Sequence, residues 1–228
     1  MELYQGSYVS GTENYAYGHN SIPSIPVTGA PKDTDWNRWA MLHDGSTYRL
    51  YAFQSGSRTT FYQFGFNISS GTYEFGYQSI PVLTLSGVPA SASTQQFAML
   101  HDGTTYRLYL QDQNDRTVLH QFGFNPRSET YEYGNNSIAT LRIIGMPRDT
   151  DWRRWALLHD GSDYRFYAFQ QGSNRNFYQA AYDSSKQKYV FGYRSIPQLA
   201  LNGFPSGIGT ENFAMLHDRD AYRFYFND

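Results

Sequence analysis

The chain has 228 residues, and its 18 basic and 20 acidic side chains give a formal net charge of −2. This balance argues against the large basic excess with which proteins bind nucleic acids or anionic membranes. Aromatic residues make up 18% of the sequence, which argues against intrinsic disorder, and the absence of cysteine excludes disulfides, thiolate metal sites and cysteine nucleophiles.

Neither a membrane span nor a secretory leader is expected. No apolar run approaches the roughly 18 residues of a spanning helix. The first residues, Met1-Glu2-Leu3-Tyr4-Gln5, lack the basic and apolar stretches of a signal peptide. We therefore expect a soluble, cytoplasmic protein, with secretion by another route left open.

A period of 58 residues organises the chain. His-Asp pairs recur with this spacing at His43, His101, His159 and His217, and a glycine in an aromatic setting recurs at Gly18, Gly76, Gly134 and Gly192. Four periods need 232 positions, four more than the chain has, so one repeat is predicted to be divided between the termini. The repeats are placed at about 22–80, 81–138, 139–196, and 197–228 together with 1–21.

Four segments of one repeat are predicted to be strands because they are short, rich in aromatic residues and bounded by turn residues. They are residues 39–43, 48–54, 61–67 and 73–80. The second and third are apolar on both faces, which predicts a sheet covered on both sides. The fourth alternates, as an outer strand does, and residues 80–89 are predicted to be a connector.

Four small antiparallel sheets that cover one another close most simply into a ring. The predicted fold is therefore an all-β, four-bladed β-propeller, a single domain spanning residues 1–228. Pairing of residues 3–8 with residues 222–226 would complete one blade and close the ring. The alternative is a linear array of sheets, which would leave its end blades uncapped.

The order of segments within a repeat resembles the hemopexin-like four-bladed propellers. The matching segments are Phe97-Ala98-Met99-Leu100, Tyr106-Arg107-Leu108-Tyr109, and Gly76-Tyr77 followed by Gly87-Val88-Pro89. The resemblance covers the whole chain in blade plan and implies that architecture. The His-Asp-Gly element is not part of the hemopexin pattern, and the disulfide of many members cannot form here, so no functional residue is carried over.

The most regular motif is His-Asp-Gly-x-x-Tyr-Arg. It is complete from His43, His101 and His159, and Arg219 replaces the glycine in the copy that starts at His217. A ring of four imidazoles would suit a metal or a porphyrin. A structural role is favoured instead, because Asp-Gly is a hairpin turn pair, and the His and Arg can satisfy buried polar groups and tie adjacent blades.

Catalytic signatures are absent from the sequence. It contains no nucleophile elbow, no His-Glu-x-x-His and no phosphate-binding loop. Carboxylate pairs such as Glu129 and Glu132 fall in turns or on the outer strand, so a glycosidase mechanism has no positive signal. We predict no catalytic residue, no metal site and no cofactor.

A twofold pattern is superimposed on the fourfold one. The segment from Asp33 to Trp39 recurs 116 residues later, from Asp149 to Trp155, but the alternate repeats carry unrelated segments that begin at Ser91 and Gly207. Trp39 and Trp155 align with phenylalanines and are predicted to be core. The other two tryptophans, Trp36 and Trp152, align with Thr94 and Thr210, so the blade does not require them.

A tryptophan flanked by two aspartates and an arginine has the composition of a sugar site, because the ring stacks on the sugar while the charged groups bind its hydroxyls. Two pseudo-equivalent ligand sites are predicted: Asp33, Asp35, Trp36 and Arg38, and Asp149, Asp151, Trp152 and Arg154. The alternative is that both tryptophans plug the ring, with the aspartates as turn formers. Calcium is disfavoured, because two carboxylates fall short of about six oxygen ligands.

The predicted function is non-enzymatic, lectin-like binding of carbohydrate or another small polar ligand at these two sites. The alternatives are a protein–protein interaction scaffold, and a hemopexin-like carrier of a small ligand or metal in the central channel. A lectin would expose Trp36 and Trp152 in concave pockets, a scaffold would show one large apolar patch, and a carrier would point its four histidines inward. Neither nucleic acid nor a membrane is an expected partner.

Overall fold

A computed structural model describes residues 1–205, 209–219 and 221–228, with the side chains of residues 209 and 210 outside the description. Within these ranges the chain forms twenty β-strands and no helix. The described part of the chain therefore contains no helix that is long and apolar enough to cross a membrane. The all-β prediction is confirmed.

Each 58-residue period contains five strands, one more than predicted. The first repeat holds β4 (Thr34–His43), β5 (Tyr48–Gln54), β6 (Thr60–Asn67), β7 (Thr72–Phe75) and β8 (Val82–Ser86). The second holds β9 (Ala92–His101), β10 (Tyr106–Asp112), β11 (Val118–Asn125), β12 (Thr130–Tyr133) and β13 (Thr140–Ile144). The third holds β14 (Thr150–His159), β15 (Tyr164–Gln170), β16 (Asn176–Asp183), β17 (Lys188–Phe191) and β18 (Gln198–Asn202). The fourth is divided between β19 (Gly209–His217) and β20 (Tyr222–Asn227) at one end and β1 (Glu2–Tyr8), β2 (Asn14–Tyr17) and β3 (Ser24–Thr28) at the other.

The first strand of each repeat is longer than predicted. Strand β4 begins at Thr34 rather than Trp39, because a bulge between Asp35 and Trp39 lets its pairing with β5 resume upstream. Trp36 therefore lies in the bulged part of a strand. This extension could not be predicted from the sequence, because the bulge breaks the alternation of inward and outward side chains by which a strand is recognised.

The fourth strand is shorter than predicted. Strand β7 ends at Phe75, because Gly76 (φ 69°) and Gln78 (φ 46°) adopt the left-handed conformation, which no strand continues. The chain then turns and forms β8 where a connector was expected. Strands β7 and β8 lie end to end along β6, with Phe75 opposite Phe64 and Leu83 opposite Phe61.

The outer strands form a closed ring. Strand β8 pairs in parallel with β12 of the next repeat, and equivalent parallel pairs join β13 to β17, β18 to β2, and β3 to β7. Combined with the third strand of each repeat, these pairs close a ring of twelve strands: β1, β3, β7, β6, β8, β12, β11, β13, β17, β16, β18 and β2. Each repeat is thus hydrogen-bonded to both of its neighbours.

Inside this ring, each third strand pairs with the second strand of its repeat, and each second strand pairs with the first. The four first strands, β4, β9, β14 and β19, contact one another in cyclic order. An alanine recurs on this first strand in every repeat, and all four are buried in the apolar clusters between repeats: Ala40, Ala98, Ala156 and Ala214.

The apolar core is divided into four clusters, and each combines side chains of two successive repeats. Phe53 and Phe61 of the first repeat pack with Phe97 and Leu108 of the second, and all four are almost fully buried. Burying one such side chain stabilises the fold by about 1.5–3 kcal/mol. This sharing explains why the second and third strands are apolar on both faces.

The predicted pairing of the terminal strands is confirmed. Strand β1 runs antiparallel to β20, with Leu3 opposite Asn227 and Ser7 opposite Arg223. Its other edge pairs with β2 and β3. The N-terminal strand therefore lies in the middle of its sheet, and the completely buried Leu3 joins the cluster between the fourth and first repeats.

Deleting residues 1–9 is expected to destabilise the whole domain, because it exposes the edge of β20 and opens the ring. Calorimetry should show a lower melting temperature for the entire transition, or no cooperative transition at all. The exposed Lys32→Ala variant is the control and should melt like the parent protein. Unchanged melting after the deletion would refute closure by the terminal strands.

Candidate functional site

The repeated His-Asp-Gly-x-x-Tyr-Arg motif holds a hairpin and ties it to the next repeat. One carboxylate oxygen of Asp44 accepts hydrogen bonds from the backbone N–H groups of Ser46 (3.0 Å) and Thr47 (2.8 Å). Its other oxygen accepts from Nε of Arg49 (2.9 Å) and from the hydroxyl of Tyr106 in the second repeat (2.9 Å). We call this Asp–Arg–Tyr set a clasp.

Four clasps form a closed cycle. The Tyr164 hydroxyl donates to Asp102 (3.1 Å), and the Tyr222 hydroxyl donates to Asp160 (2.9 Å). Tyr48 of the first repeat donates to Asp218 of the fourth (2.8 Å), which completes the circle. As predicted for a structural motif, the aspartate orders the hairpin and the arginine binds its carboxylate, but the bond between repeats is made by the tyrosine hydroxyl, which the prediction did not name.

The environment of the clasp keeps each group in the form that its bonds require. Burial alone would raise the pKa of Asp44, but hydrogen bonds from Ser46 and Arg49 outweigh burial and hold that pKa well below its usual range. Burial, together with the hydrogen bond to Asp218, raises the pKa of Tyr48 to about 12. At neutral pH the aspartate is ionised and the tyrosine hydroxyl keeps its proton.

The four histidines of the motif lie against the tyrosines of their own repeats, with ring centroids 4.4–4.6 Å apart and the rings tilted by 34–48°. They converge on one narrow pocket at the centre of the ring, together with Leu42, Leu100, Leu158 and Leu216. Burial lowers the pKa of His43, His101 and His159 and favours their neutral form. Among the described residues, no group of three or more histidines and carboxylates is arranged to hold a metal ion.

The first predicted sugar site lies at the bulge of β4, and its polar groups already bond to protein. Nε of the buried Arg38 donates to Asp35 (2.7 Å), and its two terminal nitrogens donate to the carbonyls of Ser57 (2.8 Å) and Gln54 (2.9 Å). Asp33 accepts from the Tyr62 hydroxyl (2.8 Å) and from the Gln54 amide.

The second predicted sugar site, at the bulge of β14, repeats this arrangement. Arg154 donates to Asp151 (2.8 Å) and to the Ser173 carbonyl (2.8 Å). Asp149 accepts from Tyr178 (2.9 Å) and from Gln170 (2.9 Å). The structure thus brings each predicted set together, with its carboxylates and guanidinium already hydrogen-bonded within the fold.

The four tryptophans fall into the two predicted classes. Trp39 and Trp155 are buried core residues, as expected. Trp36 and Trp152 are partly exposed, and their rings lie 5.5 Å from Phe64 and 6.0 Å from Phe166. The aligned Thr210 side chain lies outside the described residues.

Sequence reasoning missed four pockets that lie at equivalent positions between successive repeats. Named for the repeats that form them, pockets 1/2, 2/3, 3/4 and 4/1 have volumes of about 350, 320, 300 and 420 Å³. These volumes suit a small ligand. Ten equivalent positions line every pocket, and in pocket 1/2 they are Arg49, Tyr51, Gln63, Gln78, Ser79, Ile80, Leu83, Tyr106, Phe124 and Tyr131. Neither Trp36 nor Trp152 lines any of the four.

The arginine of each clasp also forms a wall of a pocket. In pocket 1/2, Nη1 of Arg49 donates to the Gln78 carbonyl (3.3 Å). With its amide oriented to satisfy both neighbours, Gln63 accepts from the same Nη1 (3.0 Å) and donates to the Ile80 carbonyl (3.1 Å). The guanidinium is therefore held rigidly, while Nη2 of Arg49 has no acceptor among the described residues.

One serine in each pocket carries a buried hydroxyl with no hydrogen-bond partner among the described residues. The four are Ser21, Ser79, Ser137 and Ser195. A buried polar group without a partner costs about 1–3 kcal/mol. The same serine recurs at this position in all four repeats.

The pocket residues do leave a signal in the sequence. Gln63 and Ser79 recur in every repeat at the same spacing, within segments that are otherwise mostly apolar or aromatic. Packing within a blade does not account for a repeated buried amide and hydroxyl. Residues of one pocket come from two repeats, however, so the pocket itself becomes visible only when the repeats are placed side by side.

Large exposed apolar side chains are few among the described residues. They are Ile22, Ile68, Val82 and Ile138. Ile22 and Ile68 both line pocket 4/1, and Ile138 lines pocket 2/3. The exposed apolar surface is therefore associated mainly with the pockets rather than with one flat face.

No protein-family model matches the chain, and no curated protein matches its sequence. Among solved structures, the chain is similar to AofleA from Arthrobotrys oligospora, with a TM-score of 0.36 and 7% identity. The match covers 83% of this chain and 49% of that one, so the chain spans about half the length of AofleA. The resemblance to hemopexin-like propellers stays a prediction of architecture.

Replacing the aspartate of one clasp should strongly destabilise the fold. Asp102→Ala leaves the half-buried Arg107 without its carboxylate, for an expected loss of about 3–5 kcal/mol. Tyr164→Phe removes one hydrogen bond to that carboxylate and should cost about 1.5–3 kcal/mol. Urea denaturation of both single variants and the double variant measures these losses.

The control is Arg142→Ala, which breaks an exposed ion pair with Asp115 and should cost less than about 1 kcal/mol. Because Tyr164 and Arg107 share one carboxylate, the effects of Asp102→Ala and Tyr164→Phe should not add. Additive losses, or a loss at Asp102 no larger than at Arg142, would contradict the clasp.

Stability should fall as the pH is lowered, in two stages. The folded protein resists protonation of His43, His101 and His159, so the free energy of unfolding decreases as the pH drops below about 6.5, the pKa of unfolded histidine. The aspartates of the clasps have depressed pKa values, so a second decrease begins near pH 4. Urea titrations between pH 8 and 3 measure both stages, and His101→Gln should flatten the first. Stability that is constant or rising from pH 7 to 5 would contradict this account.

Proposed function

We propose that the protein is a four-bladed β-propeller that binds carbohydrate without catalysing a reaction, and that the four pockets between its repeats are the binding sites. The propeller is supported by the ring of twelve outer strands and by the four first strands in cyclic contact at its centre. In this description each repeat is one blade, and the fourth blade combines both termini.

The observation that carries the proposal is the recurrence of four pockets between successive repeats, each lined by the same guanidinium, amide, hydroxyl and aromatic groups. A sugar hydroxyl both donates and accepts hydrogen bonds, so it can accept from Nη2 of Arg49 and, once the Ser79 side chain rotates toward the pocket, pair with the Ser79 hydroxyl. The partly exposed side chains of Ile80, Tyr106 and Phe124 supply the apolar surface against which the C–H face of a sugar packs.

The composition of the walls favours binding over catalysis. Phenol, guanidinium, amide and hydroxyl groups line pocket 1/2, and the guanidinium is fixed by bonds to Gln63 and to the Gln78 carbonyl. Such groups bind and orient hydroxyls. Hydrolysis of a glycosidic bond generally requires two carboxyl groups on opposite sides of that bond.

Fourfold repetition suits a multivalent binder. Four sites on one rigid body allow the protein to hold a surface that displays many copies of a weak ligand, with avidity well above the affinity of one site. The two sets centred on Trp36 and Trp152 remain a second candidate location, since both rings are partly exposed. The two locations differ in the number of sites per chain, four against two.

A glycan array followed by titration calorimetry tests the proposal. For a monovalent sugar selected by the array, we expect four sites per chain. Ser137→Ala removes a hydroxyl that has no protein partner, so three sites should remain while the melting temperature does not fall. The exposed Ser86→Ala variant is the control and should keep four sites.

The alternative outcomes are separable. Two sites, falling to one in Trp36→Ala, would place binding at the tryptophan sets and overturn the assignment to the pockets. Absence of any bound glycan would overturn the carbohydrate function itself.

A further inference from the structure

One position distinguishes the four pockets by charge. Asn20, Gln78, Asn136 and Arg194 occupy equivalent places, all with a left-handed backbone of φ 44–48°. In each case the backbone carbonyl accepts a hydrogen bond from Nη1 of the arginine of the clasp. The position therefore has the same backbone role in all four pockets. Three pockets carry a neutral amide there, whereas pocket 3/4 carries a guanidinium.

The charge of Arg194 is not neutralised by an ion pair. The other arginine of pocket 3/4, Arg165, pairs with Asp160 through Nε and with Asp163 through Nη2 (3.5 Å). The exposed Arg194 instead lies over the ring of Tyr193, 5.3 Å from its centroid, and makes no ion pair among the described residues. Because Asp163 would repel an anion from the Arg165 side, Arg194 is where an anion would be held.

The remaining polar groups of pocket 3/4 suit a ligand that carries hydroxyls as well as a charge. The phenols of Tyr8 and Tyr222 are already used, since they donate to the Thr12 carbonyl and to Asp160. The buried hydroxyl of Ser195, next to Arg194 in the chain, has no partner among the described residues. A guanidinium beside a free hydroxyl matches a molecule with a carboxylate and a neighbouring hydroxyl.

We infer that pocket 3/4 binds a sugar that carries a carboxylate, a hexuronic acid, whereas the other three pockets bind neutral sugars. The carboxylate pairs with the Arg194 guanidinium, and a ring hydroxyl bonds to Ser195 once that side chain rotates toward the pocket. This inference rests on the proposed carbohydrate function and adds the ligand class of one pocket. The protein would thereby recognise glycans that mix neutral and acidic residues.

The test compares sugars that differ only at the oxidised carbon: glucuronic acid with glucose, and galacturonic acid with galactose. Titration calorimetry of the intact chain at low salt should find one site that binds one of the acids about tenfold more tightly than the corresponding neutral sugar. This preference should weaken as the salt concentration rises. Arg194→Asn should abolish the preference. Asn136→Arg should raise the number of acid-preferring sites from one to two.

Both variants place a side chain that already occupies the equivalent position elsewhere in the chain, on the same left-handed backbone, so both should fold like the parent protein. Circular dichroism and melting verify this. Any of three results would overturn the inference: neither acid binds, each acid binds no more tightly than the corresponding neutral sugar, or the preference persists in Arg194→Asn. If no sugar of the glycan array binds either, the proposed function fails with it.

Discussion

A buried carboxylate that accepts hydrogen bonds from two repeats at once is the interaction on which this fold depends. Asp44 orders its own hairpin, binds Arg49 and receives the hydroxyl of Tyr106 from the next repeat. A buried carboxylate without these donors would be strongly destabilising, so each repeat needs its neighbour. Because Tyr48 donates to Asp218, the fourth repeat depends on the first in the same way, and this dependence includes both ends of the chain.

The same clasps shape the pockets. Arg49 uses Nε for Asp44 and Nη1 for the Gln78 carbonyl, which leaves Nη2 without an acceptor among the described residues. Tyr106 is both a donor to Asp44 and a lining residue of the pocket. A structural role and the proposed binding role are therefore compatible for this motif. Four copies in register serve a closed frame, and under the proposed function they also supply four binding sites.

Much of the fold could be predicted from the sequence, because the 58-residue period and the two-faced apolar strands are local patterns. The pairing of β1 with β20 followed from counting residues. The bulge at Asp35 and the parallel pairing of β8 with β12 could not be predicted, since one interrupts the alternation and the other depends on how repeats are placed. The residues around Trp36 do cluster, but the bonds that Arg38 makes to backbone carbonyls leave no trace in the sequence.

The central claim is that the clasps hold the four repeats in one cooperative ring. Native-state hydrogen exchange of Tyr48→Phe tests it most directly, because this change removes only the hydroxyl that joins the first repeat to the fourth. If the ring is one cooperative unit, the slowest-exchanging amides of all four repeats should lose protection by the same factor. Loss of protection confined to the strands beside Tyr48 and Asp218, with β10 and β15 unchanged, would contradict the account.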